Sequence, residues 1–168
     1  MLYLAKLTCG SLEKDQVSNE STVRIAVASE RTDLESLQLR SSLANGSDRD
    51  SLLENPDAID LPVEQIEAGQ VFVIECGGKR VGFAALLSVA DGIIELDGLF
   101  IEPNEWKRGF GKKLLQHCVG YAIGCGVTSI YVTGNSQAEG FYKSCGFEVV
   151  GTEQTRFGAG LRMKLSIG

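Results

Sequence analysis

The stretch "WKRGFGKKLL", residues 106–115, constrains this chain more than any other. Two glycines stand one residue apart, with basic residues on both sides, and an apolar run follows at once. Glycine weakens a helix interior by roughly 1 kcal/mol relative to alanine, so the pair marks a helix start. Before it, "IIELDGLFIE" (93–102) reads as a strand ended by Pro103. After it, Leu114, Leu115, Cys118, Tyr121 and Ala122 recur at helical spacing. "TSIYVTG" (128–134) is then a strand again. A strand–helix–strand unit of this kind predicts parallel strands, adjacent or nearly so, with a right-handed crossover.

The other segments supply the partners of that unit. "VRIAVA" (23–28) reads as a strand, and "TDLESLQLRSSLA" (32–44) as a helix with Thr32 and Glu35 in a capping-box pattern. "NGSDRD" breaks that helix, and "SLLENPDAIDLP" reads as a connection with a helical turn. "VEQIEAG" is a short helix ending at glycine. "QVFVIEC", a "GG" turn and "RVGFAALLSV" predict a hairpin, and "DG" at 91–92 turns into strand 93–102. "SQAEGFYKSCG" is a short helix, and "FEVVGTEQTR", "FGAG" and "LRMKLSI" form a closing hairpin. The sum is a mixed sheet with helices on its faces, an α/β chain of the α+β type. Residues 22–168 read as a single domain, and residues 1–21 as an N-terminal arm without a clear period.

Composition removes several functions. A chain of 168 residues with a net charge of −6 lacks the broad basic face that a duplex binder needs, so no nucleic-acid partner is expected. No segment approaches the roughly 18–20 apolar residues of a membrane span. "MLYLAKLTCG" does not look like a secretory signal, and a cytoplasmic protein is expected. The five cysteines form no C-x-x-C pair and His117 is the single histidine, so no metal site is expected.

The basic cluster at 107–113 suits a small anion instead. A helix N-terminus carries unpaired N–H groups and a partial positive charge, and glycines there let a phosphate approach closely. A Walker A loop is excluded because Trp106 stands where its first glycine belongs and Lys113, not Ser or Thr, follows Lys112. A dinucleotide fingerprint is excluded by Leu114.

Two motifs together identify a resemblance. "ELDGLFIEPNEWKRGFGKKLL" is similar to a strand, a proline link and R/Q-x-x-G-x-G/A opening a helix. "YVTGNSQAEGFYKSCGF" places Asn135, Ala138, Tyr142, Gly146 and Phe147 in the register of N-x-x-A-x-x-x-Y followed by G-F. The chain from about 23 to 165 thus resembles the GNAT superfamily of acyl-CoA N-acyltransferases, with Trp106 departing from the first motif position. The resemblance implies a mostly antiparallel sheet of about seven strands with a central, splayed parallel pair. It implies acetyl-CoA as cosubstrate, its pyrophosphate on the amides of Lys107, Arg108, Gly109, Phe110, Gly111 and Lys112. The pantetheine arm would follow the main chain of Leu99, Phe100 and Ile101, beside Asn135 and Ala138. Tyr142 would serve as acid toward the leaving sulfur.

Amide formation from a thioester also needs a base. Glu95 and Asp97 share a strand face by period two. Glu95 falls where histone-modifying members keep a general-base glutamate, and Asp97 or water is the alternative. Arg40 near the end of the first helix, Asp97, and Arg156 before the last turn are candidate acceptor contacts, an arginine being suited to a carboxylate. The expected acceptor is a small-molecule or protein amine, and a homodimer is left open. The rival reading is an acyl-CoA-binding sensor without turnover.

Overall fold

The computed structural model describes residues 20–168, so all of the arm expected at 1–21 except Glu20 and Ser21 lies outside the described residues. Seven strands form one sheet in the order β1-β2-β3-β4-β5-β7-β6. They are β1 (Thr22–Ile25), β2 (Val71–Cys76), β3 (Lys79–Ala90), β4 (Ile93–Ile101), β5 (Ser129–Gly134), β6 (Glu148–Thr155) and β7 (Gly158–Ser166). Every neighbouring pair is antiparallel except β4 and β5, which are parallel. The helices are α1 (Arg31–Ala44), α2 (Gly46–Glu54), α3 (Val63–Glu67), α4 (Phe110–Gly124) and α5 (Glu139–Ser144). None of the described helices is long and apolar enough to cross a membrane.

Two cores form, one on each face of the sheet. α4 turns Phe110, Leu114, Leu115, Cys118 and Ala122 inward, where they meet Phe72, Ile74, Ile94, Leu96 and Ile101. Each buried side chain of leucine or phenylalanine size contributes about 1.5–3 kcal/mol, so α4 is fixed firmly to the sheet. The opposite face carries Leu34 and Leu37 of α1 and Ile66 of α3, packed with Val71, Val73 and Phe83. Cys118 lies wholly inside the first core, and burial pushes its thiol up to about 12. Cys76, Cys118, Cys125 and Cys145 are all free thiols.

The structure departs from the sequence reading in the first third of the chain. β1 is shorter than the predicted strand, and α1 starts at Arg31 rather than after a Thr32 cap. Glu35 is occupied elsewhere, accepting a hydrogen bond from the Leu61 amide at 3.0 Å. Glu30 organises the helix start instead, taking the Val27 amide at 3.0 Å. The segment expected as a break and connection contains α2. Asp48 in its first turn suits the helix dipole, Leu52 is buried, and Asn55 Nδ2 donates to the Ser51 carbonyl at 2.9 Å just past the helix end, before Pro56 opens a 3-10 turn.

One irregularity shapes the centre of the sheet. In the β3–β4 ladder Ala85 faces Gly98 and Leu86 faces Leu96, which leaves Asp97 as the extra residue of a β-bulge. Accordingly Leu96, Leu99 and Ile101 pack into the α4 core, a step of three residues and then of two, while Phe100 packs into the other. A bulge bends and twists its strand. β4 and β5 pair only at Ile93–Ser129, Ile94–Ile130 and Glu95–Tyr131, just before the bulge. Beyond it β4 stays with β3 as far as Ile101 and β5 stays with β7 as far as Gly134.

An ion cluster around the buried Glu30 ties β1 and the start of α1 to the β2–β3 hairpin. Glu30 binds Arg24 at 2.6 and 2.9 Å and Arg80 at 3.0 Å. The Arg24 hydrogen bond is the main reason its carboxyl falls to about 2, and burial opposes the shift. The folded value lies below the ordinary value of about 4.3, so the contribution is complete above that pH and is lost as pH falls toward 2. Glu30→Gln is expected to cost about 3 kcal/mol at pH 7, from roughly 1.4 kcal/mol per pKa unit. Denaturant unfolding should show the gap closing as pH falls below about 4; a gap that is equal at pH 7 and pH 3 contradicts this account.

Candidate active site

The parting of β4 and β5 leaves one edge of β4 open from Leu96 to Ile101. The Glu102 amide donates to Val81 of the β3 side at 2.8 Å. By the alternation of strand peptide groups, those of Leu99 and Ile101 then point the other way, into the opening. The Trp106 indole confirms that direction by donating to the Ile101 carbonyl at 2.9 Å. Trp106, the residue that departs from the motif, thus braces the loop against the end of β4.

Past Trp106 the chain makes a tight left-handed approach to α4. Lys107 has φ 62° and Gly109 has φ 86°. A side chain is strained at such angles, and a Cβ built on Gly109 would stand in open space with no atom within 4 Å. The first intrahelical bond of α4 runs from the Lys113 amide to the Gly109 carbonyl at 3.1 Å. The amides of Phe110, Gly111 and Lys112 therefore have no intrahelical acceptor. Arg108 is ion-paired with Glu105 and lies over the Phe110 ring at 5.1 Å. Phe110 itself is a core residue. Gly111 differs from Gly109, because a Cβ there would meet the Phe141 ring at 3.4 Å and Leu99 at 3.6 Å. The first glycine keeps space open, and the second lets α4 pack against α5.

Tyr142 sits on α5 between the rings of Phe141 and Phe147, 7% exposed. Burial pushes its hydroxyl well above the ordinary phenol value, with Cys145 and Cys118 adding to the shift. It stays protonated at any physiological pH, and among the described residues its hydroxyl makes no hydrogen bond. Asn135 follows β5 and caps the turn to α5 by accepting the Ala138 amide at 3.0 Å. Its Nδ2 reaches Asp48 of α2 at 3.2 Å, so α2 leans over the end of β5.

The carboxylates face the α1–α3 side. Glu95 is held by the two terminal nitrogens of Arg162, on β7, at 2.5 and 2.8 Å. Arg162 also donates to Thr133 Oγ1 at 3.0 Å and lies 4.8 Å over the Tyr131 ring. Asp97, two residues on, is exposed at the bulge. Surrounding protein raises its pKa, the Glu95 charge adds, and a hydrogen bond from Gln65 opposes. Sequence reasoning missed Arg162. The signal was the alternation in "LRMKLSI", which sets Arg162 and Lys164 opposite Leu161, Met163 and Leu165.

The two arginines expected as acceptor contacts are each ion-paired within the chain. Arg40 pairs with Glu102, beyond the end of β4, at 2.5 Å. Arg156 pairs with Asp57 at 3.3 Å and joins the β6–β7 turn to the segment before α3. Neither is in contact with Glu95 or Asp97. Two surface concavities of about 490 Å³ also lie apart from the opening, one bordered by His117 and Tyr121, the other by Arg40 and Lys79. The opening is therefore defined by the backbone. Among the described residues no group of His, Cys, Asp and Glu side chains could hold a metal ion.

A seven-stranded mixed sheet whose one parallel pair, β4 and β5, parts beyond Glu95 is the fold the resemblance implied. Residues 35–147 match the model of the "Acetyltransferase (GNAT) family". The chain belongs to the GNAT acetyltransferase family. It is similar to the peptidyl-lysine N-acetyltransferase YjaB of Salmonella typhimurium, 39% identical over 35% of this chain and 39% of that protein. It is also similar to the uncharacterized N-acetyltransferase YvbK of Bacillus subtilis, 29% identical over 58% of this chain and 64% of that protein. It thus spans less than two thirds of the length of either relative. The PaiA N-acetyltransferase of Thermoplasma acidophilum, solved in complex with coenzyme A, shares the fold. Its TM-score is 0.72, with 18% identity over 88% of this chain and 99% of that one.

The two glycines are expected to fail differently. Gly109→Val places a branched side chain in the open space and should lower coenzyme A affinity at least about tenfold, with roughly 1–2 kcal/mol of strain. Gly111→Val should lower the Tm further by displacing Phe141. Calorimetric titration with coenzyme A and thermal melts separate the two effects; undiminished affinity in Gly109→Val contradicts the assignment.

Proposed function

We propose that this chain transfers an acetyl group from acetyl-CoA to a primary amine of a small molecule or protein, by direct attack in a ternary complex. The observation that carries the reading is the edge of β4 that parts from β5 after Glu95 and runs past Asp97 toward the Gly109 helix start. The open space at Gly109 and the free amides of the first turn of α4 fit a pyrophosphate. The peptide groups of Leu99 and the amide of Ile101, whose carbonyl Trp106 holds, fit the amides of a pantetheine arm beside Phe100. Asn135 and Ala138 border the same opening from β5. Bound there, the donor would supply an activated thioester.

The residues then divide the remaining work. The amides of Lys107 to Lys112 hold the pyrophosphate. Tyr142 donates a hydrogen bond to the departing sulfur; its raised pKa makes it a lasting donor rather than a strong acid. One carboxylate of the pair, Glu95 or Asp97, receives the amine's proton directly or through water. The peptidyl-lysine activity of the Salmonella relative supports a lysine side chain as one acceptor class. The free thiols of Cys76, Cys118, Cys125 and Cys145 suit a reducing compartment such as the cytoplasm.

The direct test is an acceptor screen of small amines and lysine peptides with acetyl-CoA, read as free thiol released. Amine-dependent release supports the reading, whereas coenzyme A binding without release under any acceptor makes the chain a sensor. Within an active system, Tyr142→Phe keeps the ring and removes the donor. Turnover should fall roughly 10- to 100-fold, on the scale of a lost charge-stabilising donor, with Tm and coenzyme A affinity little changed. Full turnover in that variant makes Tyr142 a packing residue.

A further inference from the structure

We propose that Asp97 is the base that takes the acceptor's proton, and that Arg162 locks Glu95 beside it as a charged but occupied neighbour. The proposal rests on the acetyl-transfer reading above. It reverses the expectation that Glu95 is the base.

Glu95 is poorly placed to gain a proton. Both its oxygens are filled by the Arg162 fork at 2.5 and 2.8 Å. Arg162 is itself fixed by Thr133 and by the face of Tyr131, and its own affinity for protons is raised chiefly by the Glu95 hydrogen bond. Protonating Glu95 would break a charge-assisted bidentate pair. Among the described residues Asp97 has no ion pair. It is the bulge residue at the point where β4 leaves β5, so it stands at the start of the opening and is exposed to an incoming amine.

Gln65 supplies the second observation. It is 4% exposed, and its Nε2 donates to the Leu86 carbonyl at 2.7 Å. That bond fixes which end of the carboxamide is nitrogen. Its Oε1 is buried with no donor among the described residues. A buried acceptor without a partner is costly. A hydrogen bond from the same carboxamide favours the charged form of Asp97, the form that accepts a proton. The surrounding protein and the Glu95 charge favour the protonated form of Asp97, the Gln65 hydrogen bond opposes it, and among the described residues Glu95 is the one charged group acting on it.

In the step itself the nitrogen lone pair forms the C–N bond at the thioester carbonyl carbon, and the N–H proton passes to the Asp97 carboxylate. The C–S bond breaks with its electron pair on sulfur, and the thiolate is protonated with help from the Tyr142 hydrogen bond or from water. Asp97 then returns its proton to solvent.

The test uses the full chain. Asp97→Asn should lower kcat about 10²- to 10⁴-fold, the usual span of a lost general base, with coenzyme A affinity unchanged. It should also abolish the acidic limb of the pH profile. Glu95→Gln should keep most of the turnover and move that limb to lower pH, because a negative neighbour has been removed. Carboxyl NMR titration of the ligand-free protein gives a reading independent of turnover. Asp97 should titrate above the ordinary value of about 3.9, and should fall toward it in Glu95→Gln. An active wild type whose Asp97→Asn variant keeps its rate and pH limb overturns the proposal. So does an Asp97 that titrates at or below its ordinary value. A wild type that releases no thiol with any amine instead overturns the acetyl-transfer reading.

Discussion

Three residue pairs hold β4 to β5, and the bulge at Asp97 follows the third of them. Everything that bears on chemistry depends on this short contact. Were the two strands paired along their whole length, the peptide groups of Leu99 and Ile101 would be spent on the sheet, as buried backbone groups normally are. Because β4 bends away, they face an opening, and the strand keeps its stability from β3 on its other side. The two cores make this tolerable. α4 clamps β2 to β4 from one face and α1 with α3 clamps the other, so a gap in the middle of the sheet does not separate its halves.

The same bulge sets the site's polarity. Leu96 and Leu99 stay in the α4 core, and Glu95 and Asp97 are left on the opposite face. A ligand entering from the α4 N-terminus and an acceptor entering from the α1–α3 side would thus meet across the sheet. The Asn135–Asp48 and Arg156–Asp57 contacts bring α2 and the β6–β7 turn toward that second side. The ion pairs of Arg40 and Arg156 satisfy these side chains within the chain itself, and each couples distant segments.

Much of this was legible in the sequence, for definite reasons. The strand–glycine–helix–strand unit has turn chemistry and periodicity that local residues specify, and α4 and β5 follow it closely. Asn135, Tyr142 and the glycine pair are read from spacing, and the structure sets Gly111 against Leu99 and Tyr142 against Gly134 at the end of β5. Three features were not legible. The bulge needs the register of β3 against β4, which no local pattern encodes. The Glu95–Arg162 pair joins residues 67 apart in sequence. Helix α2 lies where Asn45, Gly46 and a proline suggested a break, and tertiary burial of Leu52 with an Asn55 cap overrides that weak propensity.

The central claim is that one continuous path runs from the α4 N-terminus along the open edge of β4. Amide NMR of the full chain titrated with coenzyme A tests it most directly. Shifts concentrated at Lys107 to Lys112, at Leu99 to Ile101 and at Asn135 are the predicted result. No shifts at these amides, or shifts gathered instead around His117 and Tyr121, would contradict it.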